Sequence, residues 1–196
     1  MSYVLGLTGS IGMGKTTTAG FFSDAGVPVW DADAAVHRLY DGGAAVPAIA
    51  RLVPDAVNGG KVDRAVLRAA IAGNPALLQQ IEAAVHPLVS ADRQGFLDEN
   101  ADAPLVVCDI PLLFETGADG WLDGVLVVTV DAETQRRRVL ERGTMSAADF
   151  AAILAKQVPD AEKRAKADFV IDTGKGLDHA RAEVLSLIER LGGSDA

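Results

Sequence analysis

VLGLTGSIGMGKT, residues 4–16, joins a short apolar run to a glycine-rich loop. The loop satisfies the pattern G-x-x-x-x-G-K-[ST] in full. Backbone N–H groups can wrap a phosphate chain only where side chains are absent, and Gly9, Gly12 and Gly14 meet that need. A helix that begins near Lys15 would point its positive end at the phosphates. The stretch predicts a strand, a phosphate-binding loop and a helix, with a chance glycine-rich turn as the alternative.

The end of this loop supplies two side chains with distinct tasks. Lys15 brings a full charge to the β- and γ-phosphates of a nucleotide, and the Thr16 hydroxyl is a ligand for Mg²⁺. We therefore expect ATP and Mg²⁺ to bind here, with Lys15 catalytic and Thr16 a metal ligand. The residues expected to bind ATP are Gly12, Met13, Gly14, Lys15, Thr16 and Thr17.

Four more apolar runs follow the first, and helical patterns separate them. All are apolar on both faces, as strands covered by helices on both sides should be. The alternation predicts right-handed crossovers and an α/β, three-layer P-loop fold with a central parallel five-stranded sheet. Each run ends at an aspartate, which suits a site along the carboxyl edge of the sheet. The runs are residues 27–30, 105–108, 125–130 and 169–171, followed by Asp31, Asp109, Asp131 and Asp172.

Two segments interrupt the alternation. Residues 34–100 show no strong strand but carry helix-start signals at Asp63 and Asn74-Pro75, which predict a helical insertion. Residues 143–167 are also helical in pattern, with Ser146 to Asp149 resembling a capping box. We expect a nucleotide-binding core of residues 1–33, 101–142 and 168–196, a helical substrate domain of residues 34–100, and a lid of residues 143–167.

Composition narrows the class of protein. The 196 residues are 49% hydrophobic and 23% charged, as in a globular chain, and the net charge is −9. An acidic surface repels a phosphate backbone, so we expect no nucleic-acid partner. No apolar run reaches the length of a membrane span, and residues 1–4 do not resemble a signal peptide. With a single cysteine, Cys108, the sequence predicts a cytoplasmic protein without membrane association.

Three aspartates at strand ends are candidates for chemistry. Asp31 and Asp33 follow the second strand, where one carboxylate can act as the base of a kinase and the other can cap the helix that starts near Ala34. Asp109 ends the strand of residues 105–108, the setting of a Walker B carboxylate that holds magnesium. A strand-end or turn aspartate is the alternative there.

Arginines cluster in a predicted helix over residues 133–142. Arg138 and Arg142 are four residues apart and share a face, and arginine suits a transferring phosphoryl group. A solvated basic face is the alternative for Arg136 and others in the cluster. His86, beside Pro87 at an expected helix junction, has both a structural and a functional interpretation.

The chain resembles dephospho-coenzyme A kinases in several segments that occur in the family's order over nearly the whole length. The most specific are DAD and DIPLLFE, whereas the loop alone is shared by many nucleotide-binding proteins. The matching segments are LGLTGSIGMGKT at 5–16, DAD at 31–33, HP at 86–87, DIPLLFE at 109–115, residues 135–142, and ADFVID at 167–172.

The resemblance implies transfer of phosphate from ATP to the 3′-hydroxyl of dephospho-coenzyme A, the last step of coenzyme A synthesis. It implies Asp33 as general base, Arg142 as a lid arginine, and substrate binding by Asp33, His86, Leu113, Phe114 and Glu115. Thr16 and Asp109 are the expected metal ligands.

This chain departs from the family pattern at two places. Met13 stands where the family often has serine, and Pro159-Asp160 stand where many members carry an arginine. Lys163 and Arg164 are then the nearest candidates for a second lid cation.

Two rivals stay open at this point: another small-molecule or nucleoside kinase on the same fold, and a P-loop nucleotide switch protein. The DAD and DIPLLFE segments argue against the first rival. A guanine-specific switch would usually carry an Asn-Lys-x-Asp segment, which the sequence lacks.

Overall fold

The computed structural model describes residues 2–193, which form two compact units. Among the described residues, the first unit consists of residues 2–30 and 100–193, and the second consists of Asp31–Glu99. The described strands are β1 (Tyr3–Thr8), β2 (Val29–Asp31), β3 (Val57–Asn58), β4 (Lys61–Val62), β5 (Leu105–Asp109), β6 (Gly124–Thr129) and β7 (Phe169–Asp172). The described α-helices are α1 (Lys15–Asp24), α2 (Ala32–Tyr40), α3 (Val46–Leu52), α4 (Arg64–Ile71), α5 (Pro75–Glu99), α6 (Ala132–Glu141), α7 (Ala147–Leu154), α8 (Asp160–Lys166) and α9 (Leu177–Gly192).

The central sheet has five strands in the order β2-β5-β1-β6-β7 and is parallel throughout, as the sequence predicts. β1 lies in the middle, with Leu5 beside Val107 of β5 and Gly124 of β6. Because β1 has a neighbour on each side, the loop that follows it leaves the sheet at its centre. The expected α/β, three-layer P-loop fold is confirmed.

Both faces of the sheet are buried, which explains the nearly continuous apolar strands. Leu126 and Val128 of β6 pack into one cluster with Phe22 of α1 and Val184 of α9. Their neighbours in the strand point to the opposite face, where Val127 belongs to a second cluster. The final helix, α9, begins at Leu177, and its buried residues form one face.

The second unit has its own core, built by α2 to α5. Its buried side chains include Leu39, Ile49, Leu67, Ile81 and Val85. The predicted caps are confirmed in both units by hydrogen bonds from backbone N–H groups to side-chain oxygens: Ala65 to Asp63, Leu77 to Asn74, and Asp149 to Ser146.

Two features of this unit were not predicted. β3 and β4 form a small antiparallel hairpin, in a segment where the sequence shows no strong strand. Each strand has two residues, too few for an apolar period, and Gly59 and Gly60 make the turn with positive φ. His86 and Pro87 lie inside α5 and not at a helix junction. A proline removes one helical hydrogen bond, which a helix of 25 residues anchored by buried side chains can tolerate.

No helix within residues 2–193 has the length and apolar character needed to cross a membrane.

Candidate active site

The glycine-rich loop ends directly at the first turn of α1. Gly12 and Gly14 have φ of 79° and 93°, which side chains rarely adopt. A Cβ at Gly14 would also lie 3.1 Å from Cγ2 of Thr173. Gly14 caps α1 without a side-chain hydrogen bond, so the N–H groups of the first turn keep their capacity to bind an anion.

Lys15 and Asp109, two residues predicted for the site, are brought together. Nζ of Lys15 lies 2.6 Å from Oδ1 of Asp109, and the side chains are 17% and 3% exposed. The two residues begin α1 and end β5, so the contact joins the loop to the carboxyl edge of the neighbouring strand. A largely desolvated pair of this kind holds the lysine beside the place where the loop can bind phosphate.

Two glutamine side chains bind the backbone N–H and the backbone carbonyl of Ile11 in the loop. Gln135 Nε2 donates to the carbonyl oxygen of Ile11 at 2.7 Å, and the Ile11 N–H donates to Oε1 of Gln157 at 3.1 Å. Gln135 lies on α6 and is 3% exposed, whereas Gln157 follows α7. The sequence analysis missed both roles, because no pattern in one sequence tells a glutamine that holds backbone from a solvated one.

Thr173 connects the loop to an arginine of α6. Its hydroxyl donates to the carbonyl oxygen of Met13 at 2.8 Å and accepts from Nη1 of Arg138 at 2.9 Å. Nη2 of Arg138 donates to the Thr173 carbonyl at 2.9 Å. The rule that polar residues at strand ends face the site could have found Thr173, since it directly follows β7.

Met13 is buried and contributes through its sulfur as well as its backbone. The N–H of Val130, at the end of β6, donates to Sδ of Met13 at 3.1 Å. In this chain, methionine therefore ties the loop to the sheet where the resembling family often has serine.

Two clefts in the first unit differ in charge. A cleft of about 370 Å³ at the end of β6 contains the carboxylates of Asp131, Asp160 and Asp172 and the cation of Arg164. A cleft of about 170 Å³, the P-loop cleft, contains two arginines and no carboxylate. Phosphate favours the second environment. Residues lining the P-loop cleft include Gly12, Gly14, Thr17, Arg138, Arg142 and Thr173.

The arginines of α6 fall into separate groups. Arg138 is half-buried and held by Thr173, whereas Arg142 is exposed at the end of the helix and lines the P-loop cleft. Arg136 and Arg137 are exposed and are not among the lining residues of this cleft.

Asp31 and Asp33 have different local roles. The carboxylate of Asp31 accepts a hydrogen bond from the Ala34 N–H at 2.9 Å and caps α2. Asp33 lies in the first turn of the same helix and is exposed. A negative charge there is favoured by the helix dipole. Because Asp31 supplies the cap, Asp33 is the better candidate for chemistry.

The residues expected to bind the second substrate lie in different settings. His86 is exposed on α5 of the second unit. In the first unit, Leu113 is fully buried against the second apolar cluster, and Phe114 packs beside it. Glu115 accepts a hydrogen bond from the Val158 N–H at 2.9 Å and pairs with Lys163 at 2.8 Å.

The candidates for a second lid cation are already engaged. Lys163 is fully buried in its pair with Glu115, and Arg164 lies 2.9 Å from Asp160. Lys163 therefore has no exposed charge to offer a nucleotide. Arg164 is about half exposed and lines the acidic cleft.

Within residues 2–193, no group of three or more His, Cys, Asp or Glu side chains is arranged to hold a metal ion. The glycine-rich loop between β1 and α1, the parallel sheet and the lysine–aspartate pair together define a P-loop protein.

Comparison with known proteins identifies the family. The family model described as dephospho-CoA kinase matches residues 3–179. A dephospho-CoA kinase from Jannaschia sp. (strain CCS1) is 59% identical over 192 residues, 97% of this chain and 98% of that protein. A solved Thermus thermophilus protein has a TM-score of 0.80 at 36% identity, over 95% of this chain and 98% of that one. A solved dephospho-CoA kinase from Campylobacter jejuni shares the fold, with a TM-score of 0.69 at 22% identity over 97% of both chains. The chain belongs to the dephospho-CoA kinase family, as its sequence motifs predict.

Proposed function

We propose that the protein transfers the terminal phosphate of ATP to the 3′-hydroxyl of dephospho-coenzyme A, giving coenzyme A and ADP. The observation that carries this proposal is the family match over residues 3–179, which includes the P-loop, the DAD segment and the DIPLLFE segment. The ion pair of Lys15 with Asp109 supports the same proposal, because it holds the lysine charge beside the place where the loop can bind phosphate.

The proposed ATP site combines the loop with the P-loop cleft. The amides of residues 12–17 bind the phosphates, and the cleft takes the adenosine beside Arg138 and Thr173. Support comes from the uncapped start of α1 and from the absence of carboxylates among the lining residues. Arg142, exposed at the edge of this cleft, is the proposed arginine over the phosphates.

The donor set suits a magnesium ion that is held mainly by phosphates and water. Thr16 offers an exposed hydroxyl at the start of α1, and Asp109 offers a carboxylate at the end of β5. Magnesium in kinases binds through one or two protein ligands and the substrate phosphates, so these two residues are the proposed ligands. When bound, the ion neutralises charge that develops on the phosphates.

Asp33 is the proposed general base. Its carboxylate accepts the proton of the 3′-hydroxyl while that oxygen attacks the γ-phosphorus and the bond to the β-phosphate oxygen breaks. Lys15 and Arg142 stabilise the charge that moves onto the leaving ADP. The exposure of Asp33 beside a separate cap residue supports this role.

The remaining assignments concern the second substrate and its enclosure. We propose that residues 34–100 and the Leu113 to Glu115 segment bind dephospho-coenzyme A, with His86 as a contact. Residues 143–167 act as a lid that excludes water, hinged at Gly143, whose φ is 64°. The proposed location is the cytoplasm, because the single cysteine, Cys108, can form no internal disulfide.

Coupled measurement of ADP release with and without dephospho-coenzyme A tests the proposal. We expect release to depend on that acceptor, to exceed release with AMP, adenosine or shikimate, and to give a product with its new phosphate at the 3′ position by phosphorus NMR. Equal use of shikimate, or phosphate at another position, contradicts the substrate assignment.

A further inference from the structure

Residues 157–158, which follow α7, are held between the P-loop and the DIPLLFE segment. The N–H of Ile11 donates to Oε1 of Gln157 at 3.1 Å. The N–H of Val158, the next residue, donates to Oε1 of Glu115 at 2.9 Å. We call residues 157–158 the strap, because they connect Ile11 and Glu115, which are more than 100 residues apart in sequence.

Glu115 is paired with Lys163, whose charge is unfavourable to bury. Nζ of Lys163 lies 2.8 Å from the same Oε1, with side chains that are 0% exposed for Lys163 and 11% for Glu115. In the part of the chain that the structure describes, Oε2 of Glu115 and Nζ of Lys163 are both buried without a well-aligned hydrogen-bond partner. A buried ion pair with two such unsatisfied atoms adds little to stability compared with apolar side chains of the same size. Its position therefore calls for a reason other than stability.

We infer that Glu115 is a positioning residue for the ATP site: it fixes Val158, and through the strap it holds Gln157 against the backbone N–H of Ile11 in the P-loop. This inference rests on the proposed function. Gln135 donates to the backbone carbonyl of the same residue. The loop conformation at Ile11 therefore depends on one side chain from α6 and on one that Glu115 keeps in place.

This role differs from two simpler ones in what it predicts. If Glu115 only contacted dephospho-coenzyme A, its loss would raise the KM for that substrate alone. If it only stabilised the fold through Lys163, its loss would lower the Tm and leave the kinetic constants of the folded enzyme unchanged. Loss of a positioning residue changes the KM for ATP and the rate of hydrogen–deuterium exchange at the Ile11 amide, although the residue contacts neither the nucleotide nor Ile11.

Two double variants separate these roles. Glu115→Gln/Lys163→Met and Glu115→Leu/Lys163→Met both remove the two charges, but only glutamine keeps an oxygen that can accept from Val158. In the full chain without substrates, we expect the amides of Ile11 and Val158 to exchange about tenfold faster in the leucine variant than in the glutamine variant, since one hydrogen bond is lost. With ATP and dephospho-coenzyme A, the leucine variant should show a kcat/KM for ATP lower by about the same factor, at similar Tm.

Equal exchange at Ile11 in the two variants overturns the inference, and so does a change confined to the KM for dephospho-coenzyme A. If the leucine variant does not fold, Gln157→Ala tests the same link without touching the buried pair. It should accelerate exchange at Ile11 and raise the KM for ATP, and unchanged exchange there overturns the inference. Exchange is measured without substrates, so failure of the proposed function appears separately, as absence of product with dephospho-coenzyme A.

Discussion

The ammonium group of Lys15 lies 2.6 Å from Oδ1 of Asp109, so the P-loop lysine and the strand-end carboxylate form one ion pair. Asp109 is almost fully buried, and a change at either residue alters the electrostatics of the other. Effects on stability and on catalysis therefore have to be separated at this pair.

Lys15→Ala is expected to lower turnover by a factor of about 100 or more, since an electrostatic group at the transferring phosphate is lost. It should also lower the Tm, because Asp109 loses the counter-charge at 2.6 Å. Lys15→Ala/Asp109→Asn should recover much of the Tm but no turnover, measured by thermal unfolding and ADP release. Near-normal turnover in either variant would mean that the loop does not bind the reacting phosphates.

Asp33→Asn keeps the shape of the side chain and loses the proposed base. We expect turnover to fall by at least about a hundredfold, with little change in the affinity for ATP measured by calorimetry. Asp31→Asn is the matched control two residues away, because asparagine caps a helix as well as aspartate does. Its turnover and Tm should stay near those of the wild type. Equal losses of turnover in the two variants would mean that the effect comes from a disturbed start of α2 and not from removal of a base.

Arg142→Ala should reduce turnover far more than stability, because an exposed arginine at a helix end contributes little to folding. Arg136→Ala, on the same helix and outside the lining of the P-loop cleft, should change neither quantity. Steady-state kinetics and thermal unfolding of both variants check this. The same kinetic loss at both positions would indicate a general basic surface.

Magnesium dependence tests the role of Thr16. ADP formation should stop in chelator and return with added Mg²⁺, which bridges and neutralises the phosphates. Thr16→Ala should raise the magnesium concentration needed for half-maximal activity, whereas Thr16→Ser keeps the hydroxyl and should keep the requirement. Activity that persists in chelator would exclude the proposed use of the ion.

The pH dependence of stability should report on Glu115. Burial favours its neutral form, but the contacts with Lys163 and the Val158 N–H outweigh burial and hold the pKa of the carboxyl below its usual value. The folded pKa is thus the lower one, so its stabilising contribution is present above the usual glutamate value of about 4.3 and is lost as the pH falls through the lowered value. Urea unfolding of the wild type and of Glu115→Gln/Lys163→Met should show a free-energy difference that is constant near neutral pH. The wild type should lose stability relative to the variant in acid. A difference that is the same at all pH values would contradict the ionised pair.

Local patterns predicted the sheet, its parallel strands and the helix caps, because strand runs and cap residues act over a few neighbouring positions. The same patterns could not show that Pro87 lies within α5, since its cost is offset by side chains packed along the whole helix. β3 and β4 were too short to leave an apolar period.

At the site, a motif of eight residues was enough to predict the loop and its lysine. The loop is supported by side chains that lie more than 120 positions from the loop residues they bind: Gln135, Gln157 and Thr173. Only the folded chain shows which of many polar residues reach the loop. Lys163 illustrates the same limit, because its sequence position suggested an exposed cation and folding buries it completely.

The central position of β1 also has a consequence for biosynthesis. Residues 3–8 are made well before their partners in the sheet, residues 105–109 and 124–129. The strand before the P-loop therefore lacks its two neighbouring strands until residue 129 has left the ribosome. The unit of residues 31–99, with a core built from nearby helices, can consolidate while the rest is still being translated.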